Sequence, residues 1–314
     1  MELWKEKWEN LRINLMNHLK NRGEEMLLVT GITGLTGRFL YKELKQKITN
    51  IDVKYLVRNT SDIAWIEDEN LVQGDLKDLK NIENIFKGVT TVLHLAPRGE
   101  LKNVLDACKI NNVKRIFFVN STGIYSKFKK SSHIDLKNEF ILKDSGLIYT
   151  IIRPTMIYGN HQDGNIHLLA KIMDRTPIYP VIGKGEGLMQ PIYAGDLAKA
   201  IVNALNNEKL TRNREYNVAG KTPIQYRELL QNIAEAMGKK VVFIKIPFKL
   251  ALLIGKIGDK IPNRIINYEK VLRLNENKNF DYSAAIDDLS FSPISFKEGI
   301  VLEINDLQKQ GIIK

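Results

Sequence analysis

The stretch LLVTGITGLTGRFL, residues 27–40, decides the fold of this chain. Its apolar run meets Gly31, Gly34 and Gly37 at three-residue spacing and then takes on a helical pattern. In a dinucleotide-binding turn, the first glycine permits a tight turn after a parallel strand. The second lets the backbone approach a pyrophosphate, and the third lets the helix pack against the strand. Because the helix start also attracts phosphates, the stretch predicts a dinucleotide site rather than a turn that binds nothing.

Alternating strand and helix patterns continue this unit. We expect strands near residues 52–57, 70–73, 90–95, 115–120 and 147–152 and helices near residues 34–47, 77–87, 98–111 and 133–145. This alternation predicts an α/β fold with a doubly wound parallel sheet, the Rossmann fold. Such sheets bind ligands at the carboxyl ends of their strands.

The residue after the second strand bears on cofactor choice. Arg58 stands where an acidic residue would accept a hydrogen bond from the adenosine ribose. An arginine there pairs instead with a 2′-phosphate, so the sequence favours NADP(H), with NAD(H) as the alternative. An ordinary solvated loop arginine is the competing interpretation.

Six motifs occur in an order that is similar to extended short-chain dehydrogenase/reductases. After the glycine turn come Gly74-Asp75-Leu76, His94-Leu95-Ala96, Asn120-Ser121-Thr122-Gly123-Ile124-Tyr125, Arg153-Pro154-Thr155-Met156-Ile157-Tyr158-Gly159 and Pro191-Ile192-Tyr193-Ala194-Gly195-Asp196-Leu197-Ala198. The chain resembles an atypical member of the NAD(P)-dependent epimerase/dehydratase group, often labelled nucleoside-diphosphate-sugar epimerases. The resemblance covers about residues 26–220 and implies hydride transfer on a small-molecule substrate such as a nucleotide-linked sugar.

The resemblance also implies a set of cofactor-binding positions. It places Asp75 near the adenine and the segment from His94 to Pro97 near the ribose. The expected cofactor-binding residues are Gly31, Thr33, Gly34, Leu35, Thr36, Gly37, Arg58, Asp75, Leu76, Leu95, Ala96, Pro97, Asn120 and Pro154.

The proton-transfer pair of the resembled family is not found at its usual positions. Members use a Ser or Thr together with a Tyr and a Lys four residues apart on the next helix, and the ammonium lowers the pKa of the phenol. Ser121 matches the first position. An ungapped alignment from Arg153 places Ser131 at the Tyr position and Asp135 at the Lys position. We therefore expect neither of these two residues to contribute to activity.

Substitutes for that pair are weighed against simpler interpretations. Tyr125 and Lys129 have the four-residue spacing, but Tyr125 already belongs to the loop motif, so we interpret the match as a coincidence. His133 and Lys137 share a helix face but need a two-residue shift, and a solvated pair is the preferred interpretation. The candidate catalytic residues are Ser121, Tyr158 and His133.

Two classes of function remain open at this point. The first is an oxidoreductase, epimerase or dehydratase that passes hydride between the nicotinamide and a substrate carbon. The second is a non-catalytic protein that senses redox state through NADP(H) or assists the assembly of a complex. The retained glycines and the missing proton-transfer pair fit both classes of function. A measurement of substrate turnover distinguishes the two.

Composition indicates a large hydrophobic core and no metal or nucleic-acid chemistry. The chain has 314 residues, 44% of them hydrophobic, and a formal net charge of +11 that attracts anionic ligands. Cys108 is the one cysteine, so no internal disulfide forms. No metal-ligand spacing or nucleic-acid motif is present. We expect a cytoplasmic protein without a transmembrane segment and keep a homodimer among the expected states.

Three regions are expected along the chain. Residues 1–25 form an amphipathic helical extension that packs on the protein itself or, as the lesser alternative, on a membrane or partner. Residues 26–159 form the NAD(P)-binding Rossmann domain, and residues 160–314 complete the sheet and form a small substrate-binding α/β lid. Within this lid, residues 246–261 predict an amphipathic helix too charged to span a bilayer.

Overall fold

The computed structural model describes residues 25–66, 70–96, 98–261 and 266–314. The extension predicted for residues 1–25 lies outside this part of the chain except for its last residue, and so does Pro97.

A seven-stranded parallel sheet forms the centre of the molecule. Its strand order is β11-β6-β5-β4-β1-β2-β3, and every neighbouring pair is parallel. The strands of this sheet are β1 (Met26–Thr30), β2 (Asp52–Val57), β3 (Leu71–Gln73), β4 (Thr91–His94), β5 (Arg115–Val119), β6 (Ile148–Pro154) and β11 (Arg214–Val218). This topology confirms the predicted doubly wound α/β fold.

Helices cover the sheet and build the rest of the chain. In chain order they are α1 (Gly37–Lys47), α2 (Leu79–Ile82), α3 (Leu101–Ile110), α4 (Ser132–Lys143), α5 (Ile166–Arg175), α6 (Ala194–Asn206), α7 (Glu208–Thr211), α8 (Tyr226–Ala236), α9 (Phe248–Gly258), α10 (Tyr268–Leu274), α11 (Ser283–Leu289) and α12 (Phe296–Lys309). Short 3₁₀ turns span Glu83–Phe86, Arg98–Glu100 and Thr122–Tyr125.

Burial on both faces explains why the strands read as apolar runs. Leu27 and Val29 of β1 pack into one hydrophobic core with α1, α6 and α11, whereas Leu28 packs into a second core with α3 and α4. All three side chains are fully buried. A parallel strand covered on both faces has no solvent side, so continuous hydrophobicity replaces alternation.

A third hydrophobic core belongs to the C-terminal region. It joins α5, α8 and α12 through residues such as Ile166, Ile233 and Ile300. Three two-stranded pairings border it, formed by β7 (Ile157–Tyr158), β8 (Ile178–Ile182), β9 (Leu188–Met189), β10 (Ile192–Tyr193), β12 (Ile224–Gln225) and β13 (Val242–Ile246). Strand β11, which completes the central sheet, also comes from this half of the chain. The boundary near residue 160 stays a prediction.

The segment predicted as one helix over residues 246–261 divides into two elements. Strand β13 ends at Ile246, and α9 begins after Pro247. Across the described residues, no helix combines the length and the apolar character that crossing a membrane requires.

Candidate active site

The glycine turn lies where the strand order reverses, between β1 and β4. A Cβ on Gly31 would lie 2.5 Å from the backbone nitrogen of Ala96, so the turn touches the segment after β4. A Cβ on Gly37 would lie 1.6 Å from the carbonyl oxygen of Ile32, which is an impossible contact. These two glycines therefore serve close packing, as the spacing predicts.

Gly34 differs from its two neighbours because the space beside it is open. A Cβ there would meet only the Gly31 carbonyl oxygen, at an ordinary 3.4 Å. Thr36 precedes α1 without making a side-chain capping bond, and the first turn of α1 carries no acidic residue. An open approach to an uncapped helix start without nearby negative charge fits a pyrophosphate.

The loop after β7 packs over the same turn. The Asn160 amide donates to the Leu35 carbonyl oxygen and the Gln162 amide to the Thr33 carbonyl oxygen, each at 3.4 Å. Thr33 and Leu35 thus connect the glycine turn to the C-terminal region through their carbonyl groups.

Two arginines stand on neighbouring segments near the end of β2. Arg58 begins a tight turn in which its N–H donates to Ser61 Oγ at 3.2 Å. The Asp62 carboxylate, directly after this turn, lies 3.5 Å from the Arg38 guanidinium. Arg38 also stacks 5.1 Å over Trp65, and its buried Nε has no hydrogen-bond partner among the described residues. The sequence analysis missed Arg38, although a basic residue directly after Gly37 was the available signal.

Asp75 and Leu76 follow β3 in a well-bonded turn. The Asp75 N–H donates to Asn81 Oδ1 at 2.9 Å, and Asp75 Oδ1 accepts from the Lys77 N–H at 3.0 Å. Leu76 is buried, and its carbonyl accepts from the Asn103 amide at 2.8 Å. Asp75 itself stays exposed, so its carboxylate is accessible at the edge of the crevice.

His94 ends β4 deep in the sheet and precedes Leu95 and Ala96. Its Nδ1 lies 2.8 Å from Thr30 Oγ1, and its ring stacks on Phe118. Complete burial lowers the pKa of His94 to about 4, so the ring is neutral at physiological pH. It therefore couples β1 to β4 without bringing a charge to the crevice.

Ser121 lies immediately past β5, where the chain enters a 3₁₀ turn. Its Oγ accepts from the Gly123 N–H at 3.0 Å. The neighbouring Thr122 hydroxyl donates to the Pro154 carbonyl at 3.2 Å, which joins the carboxyl ends of β5 and β6. Ser121 and Pro154 therefore lie on adjacent strands at the ligand-binding edge of the sheet.

A lysine from the loop before α4 approaches Gly123, the glycine that Ser121 Oγ also contacts. Lys129 Nζ lies 2.5 Å from Asp135 Oδ2, and the two side chains are only 12% and 4% exposed. A Cβ on Gly123 would lie 2.6 Å from Lys129 Nζ and 3.0 Å from Ser121 Oγ, so both groups converge over this glycine. The carboxylate at the position of the family lysine thus holds an ammonium from elsewhere in the chain.

Helix α4 shows which register faces the site. Asp135 and Glu139, one turn apart, are buried, whereas His133 and Lys137 are exposed. Ser131 precedes the helix and is exposed as well. His133 therefore lies on the exposed side of α4, away from the buried face that contacts Lys129.

A buried polar network fixes that register. The Arg153 guanidinium pairs with the carboxylates of Glu139 and Glu215, which together raise the pKa of Arg153 against the opposing effect of burial. The Asn120 amide donates to Glu139 Oε1 at 2.6 Å and to the Asp135 carbonyl at 3.3 Å. Asn120 therefore anchors α4 to the sheet, a role beyond the predicted cofactor contact.

Tyr158 lies in the core of the C-terminal region. It is 1% exposed, its ring packs against Phe296 and Tyr193, and a Cβ on Gly299 would lie 2.0 Å from its hydroxyl oxygen. Burial and the nearby Glu303 carboxyl raise the pKa of Tyr158. These contacts attach Tyr158 to the hydrophobic core and not to Ser121, so we do not retain it as a proton relay.

The loop that carries Lys129 is held from the C-terminal region. Glu276, just past α10, accepts from the Ser126 hydroxyl at 2.7 Å and from the Lys127 N–H at 2.8 Å. Ser126 Oγ in turn accepts from the Lys129 N–H at 3.0 Å. No local sequence signal predicts this contact, because the two segments lie about half the chain apart.

Comparison with known proteins gives the family. Residues 31–208 match the family described as NAD(P)H-binding. The chain belongs to this NAD(P)H-binding family. Its relatives include an N-acetyl-alpha-D-glucosaminyl-diphospho-ditrans,octacis-undecaprenol 4-epimerase of Escherichia coli O157:H7, 24% identical over 74% of this chain and 78% of the relative. A GDP-L-fucose synthase of Dictyostelium discoideum is 26% identical over 85% of this chain and 91% of the relative.

Solved structures with the same fold agree with that assignment. The UDP-glucuronic acid 4-epimerase of Bacillus cereus, in complex with UDP-glucuronic acid and NAD, has a TM-score of 0.72 at 17% identity and covers 91% of this chain and 99% of its own. The UDP-N-acetylglucosamine 4-epimerase of Methanobrevibacter ruminantium has a TM-score of 0.67 at 20% identity with the same coverage. The resemblance to extended short-chain dehydrogenase/reductases is thereby confirmed, and the family comprises NAD(P)-binding epimerases, dehydratases and reductases.

Proposed function

We propose that this protein is an NADP(H)-dependent epimerase, dehydratase or reductase that acts on a sugar linked through a diphosphate, with a nucleotide-linked sugar as the first candidate. The observation that carries the proposal is the convergence of Lys129 Nζ and Ser121 Oγ over Gly123. This convergence supports catalytic activity because it places the Lys129 ammonium and the Ser121 hydroxyl at the same glycine, although Asp135 stands at the position of the family lysine.

The cofactor preference rests on the two arginines near β2. Arg38 and the turn that begins at Arg58 are linked through Asp62, and the buried Nε of Arg38 has no hydrogen-bond partner among the residues that the structure describes. Guanidinium groups bind phosphate through two parallel hydrogen bonds, which suits a 2′-phosphate on the adenosine. When bound, the cofactor would accept or donate hydride at its nicotinamide.

Three residues of the site, Ser121, Lys129 and Asp135, have an assigned part in the proposed reaction. The Ser121 hydroxyl hydrogen-bonds to the reacting oxygen of the substrate, and the proton that accompanies hydride transfer is exchanged between that oxygen and solvent. The Lys129 ammonium stabilises negative charge that develops on that oxygen and binds the nicotinamide ribose, the role that the resemblance gives to the family lysine. Asp135 is a positioning residue, because it fixes the ammonium in place.

The substrate class follows from relatives and from charge. The names of the Escherichia coli relative and of the two solved epimerases describe sugars attached through diphosphate groups. A formal net charge of +11 favours the approach of such anionic substrates to this chain.

A second candidate function is cofactor binding without turnover. Two positions favour it: Ser131 stands where the alignment places the family tyrosine, and Tyr158 is buried in a hydrophobic core. In that case the protein would respond to the redox state of NADP(H), or assist assembly of a complex, through the same glycine turn.

Turnover decides between these two candidates. The full chain is incubated with NADP⁺ or NADPH and a panel of UDP-, GDP- and dTDP-sugars and undecaprenyl-diphospho-N-acetylglucosamine. Products are resolved by chromatography and mass spectrometry. Conversion of one substrate that is lost in Ser121→Ala supports the enzyme. Tight NADPH binding with no product from any substrate supports the binding protein.

A further inference from the structure

Helix α9 presents its large apolar side chains to solvent and its small residues to the protein. The buried positions are Ala251, Gly255 and Gly258. Five large apolar residues are 42–56% exposed, and we call them the outer apolar face: Leu250, Leu253, Ile254, Ile257 and Ile261. The spacing of Leu250, Leu253, Ile254 and Ile257 places these four along one side of the helix, and Ile261 follows three residues past the helix end. A helix that served folding alone would bury this side.

The glycines explain how the inner side packs. A Cβ on Gly255 would lie 3.0 Å from Tyr268 Cα, and a Cβ on Gly258 would lie 2.4 Å from the Ile266 carbonyl oxygen. Only glycine permits this close approach of the segment that leads into α10. The attachment of α9 therefore uses backbone contact, and within the part of the chain that the structure describes the outer apolar face stays exposed.

A row of lysines borders the outer apolar face. Lys249 and Lys256, seven residues apart and both exposed, share one side of the helix next to the apolar one, and the exposed Lys260 lies two residues past the helix end. The Lys256 ammonium also lies 5.6 Å over the Tyr268 ring. Asp259, the residue that caps the C-terminal end of α9, adds one acidic group at this end of the helix.

We propose that the outer apolar face of α9 docks on the surface of an anionic lipid bilayer. Eleven helical residues span about 16 Å, which is too short to cross the hydrocarbon core but sufficient to lie in the interface. The lysine row supplies charge complementarity, because each basic residue near an anionic membrane contributes about 1 kcal/mol. This inference does not depend on the proposed function.

Vesicle flotation with the full chain tests the proposal. The protein is mixed with vesicles of phosphatidylcholine and phosphatidylglycerol in equal parts, or of phosphatidylcholine alone. We expect the chain to float with the anionic vesicles and bind neutral ones at least about tenfold more weakly, because the lysine row contributes to binding. Added salt should reduce binding by screening the lysines.

Matched variants assign the contact to α9. Leu253→Ser/Ile257→Ser removes two side chains that are each 56% exposed, and Ile110→Ser/Leu210→Ser removes two of equal exposure elsewhere. The first pair should lose vesicle binding by about tenfold or more, and the second should not change it. Lys249→Glu/Lys260→Glu should also weaken binding, whereas Lys80→Glu/Lys114→Glu should weaken it far less.

A labelled variant tests the contact without deleting the face. Cys108 is buried, so an environment-sensitive dye on Leu253→Cys reports on α9. Its emission should shift to the blue on anionic vesicles and not with neutral ones. Three results would overturn the proposal: no binding to anionic vesicles, binding unchanged in Leu253→Ser/Ile257→Ser, or a dimer in light scattering that this variant dissociates.

Discussion

Lys129, from the loop before α4, and Asp135, at the position that the alignment gives to the family lysine, form a nearly buried ion pair. The two charged atoms lie 2.5 Å apart. The acid at the aligned lysine position thus binds a cation from six residues earlier in the chain. This pairing changes the expectation for Asp135, which the alignment alone treated as dispensable.

The first prediction concerns this pair. Lys129→Met alone would remove the ammonium beside the buried Asp135 carboxylate, at a cost of up to about 3–5 kcal/mol in stability. The double variant Lys129→Met/Asp135→Asn removes the ammonium without leaving an unpaired charge. We expect it to fold and to lower kcat by about a hundredfold, because a charge that stabilises the transition state is lost. Steady-state kinetics on the converted substrate provides the measurement.

The exposed side of α4 offers the control for that prediction. His133→Ala/Lys137→Met changes two residues of the same helix that face solvent. Activity should stay within about twofold of the unmodified chain, since exposed substitutions away from a site have small effects. Loss of activity in this control, with activity kept in Lys129→Met/Asp135→Asn, would contradict our assignment. It would favour the alternative in which His133 and Lys137 take the proton-transfer positions.

The second prediction concerns cofactor selection. Arg38→Ala/Arg58→Ala should narrow the preference for NADPH over NADH by about tenfold or more, because a charge-assisted contact to phosphate contributes roughly 1.5–3 kcal/mol. Titration calorimetry with both cofactors measures the ratio, and the exposed Arg175→Ala is the control. Equal affinity of the unmodified chain for NADH and NADPH would refute the assignment of a 2′-phosphate site.

The third prediction separates two glycines of the same turn. Gly34→Ala should abolish cofactor binding while the melting temperature hardly changes, because the added Cβ meets only one protein atom, at 3.4 Å. Gly37→Ala should instead destabilise the protein, since its Cβ would lie 1.6 Å from the Ile32 carbonyl oxygen. Thermal unfolding and NADPH titration of both variants test this. Unchanged binding by Gly34→Ala would place the pyrophosphate elsewhere.

The fourth prediction concerns a buried acid behind the active-site loops. Burial and the neighbouring Asp163 carboxylate raise the pKa of Glu303 to about 10. The folded protein holds this proton more tightly than the unfolded chain does. The contribution of protonated Glu303 to the free energy of unfolding is fully present below the ordinary glutamate pKa of 4.5 and is lost as the pH rises toward 10.

Replacement by an amide removes that pH dependence. We expect Glu303→Gln to raise the free energy of unfolding at neutral pH, with the gain over the unmodified chain growing by up to about 1.4 kcal/mol per pH unit above 4.5. Urea unfolding at several pH values measures it. The exposed Glu186→Gln should show no such trend, and a gain that does not change with pH would show that Glu303 is not protonated.

The central fold could be predicted because it follows from local patterns. The glycine spacing from Gly31 to Gly37 and the apolar runs of β1 and β4 each have a direct physical cause in turn geometry and burial on both faces. The register of α4 was also predictable, since it follows from an ungapped count back from Arg153. Each of these features follows from the order of residues within one segment of the chain.

The composition of the site was harder to predict because it depends on contacts between distant segments. Lys129 lies in a loop without periodicity, and only the fold brings its ammonium to Asp135 and Gly123. Tyr158 looked available in a motif, but its environment is set by Phe296 and Gly299, which lie far along the chain. Periodicity does not carry such information.

The structure of the chain with bound NADP⁺ tests the central claim most directly. The decisive measurement is the distance from Lys129 Nζ to the hydroxyl groups of the nicotinamide ribose. Our account predicts a hydrogen bond of about 3 Å, with Ser121 Oγ facing the same space and Asp135 still bound to the ammonium. A ribose contacted by His133 or Lys137 instead, or left without any cation, would contradict the account.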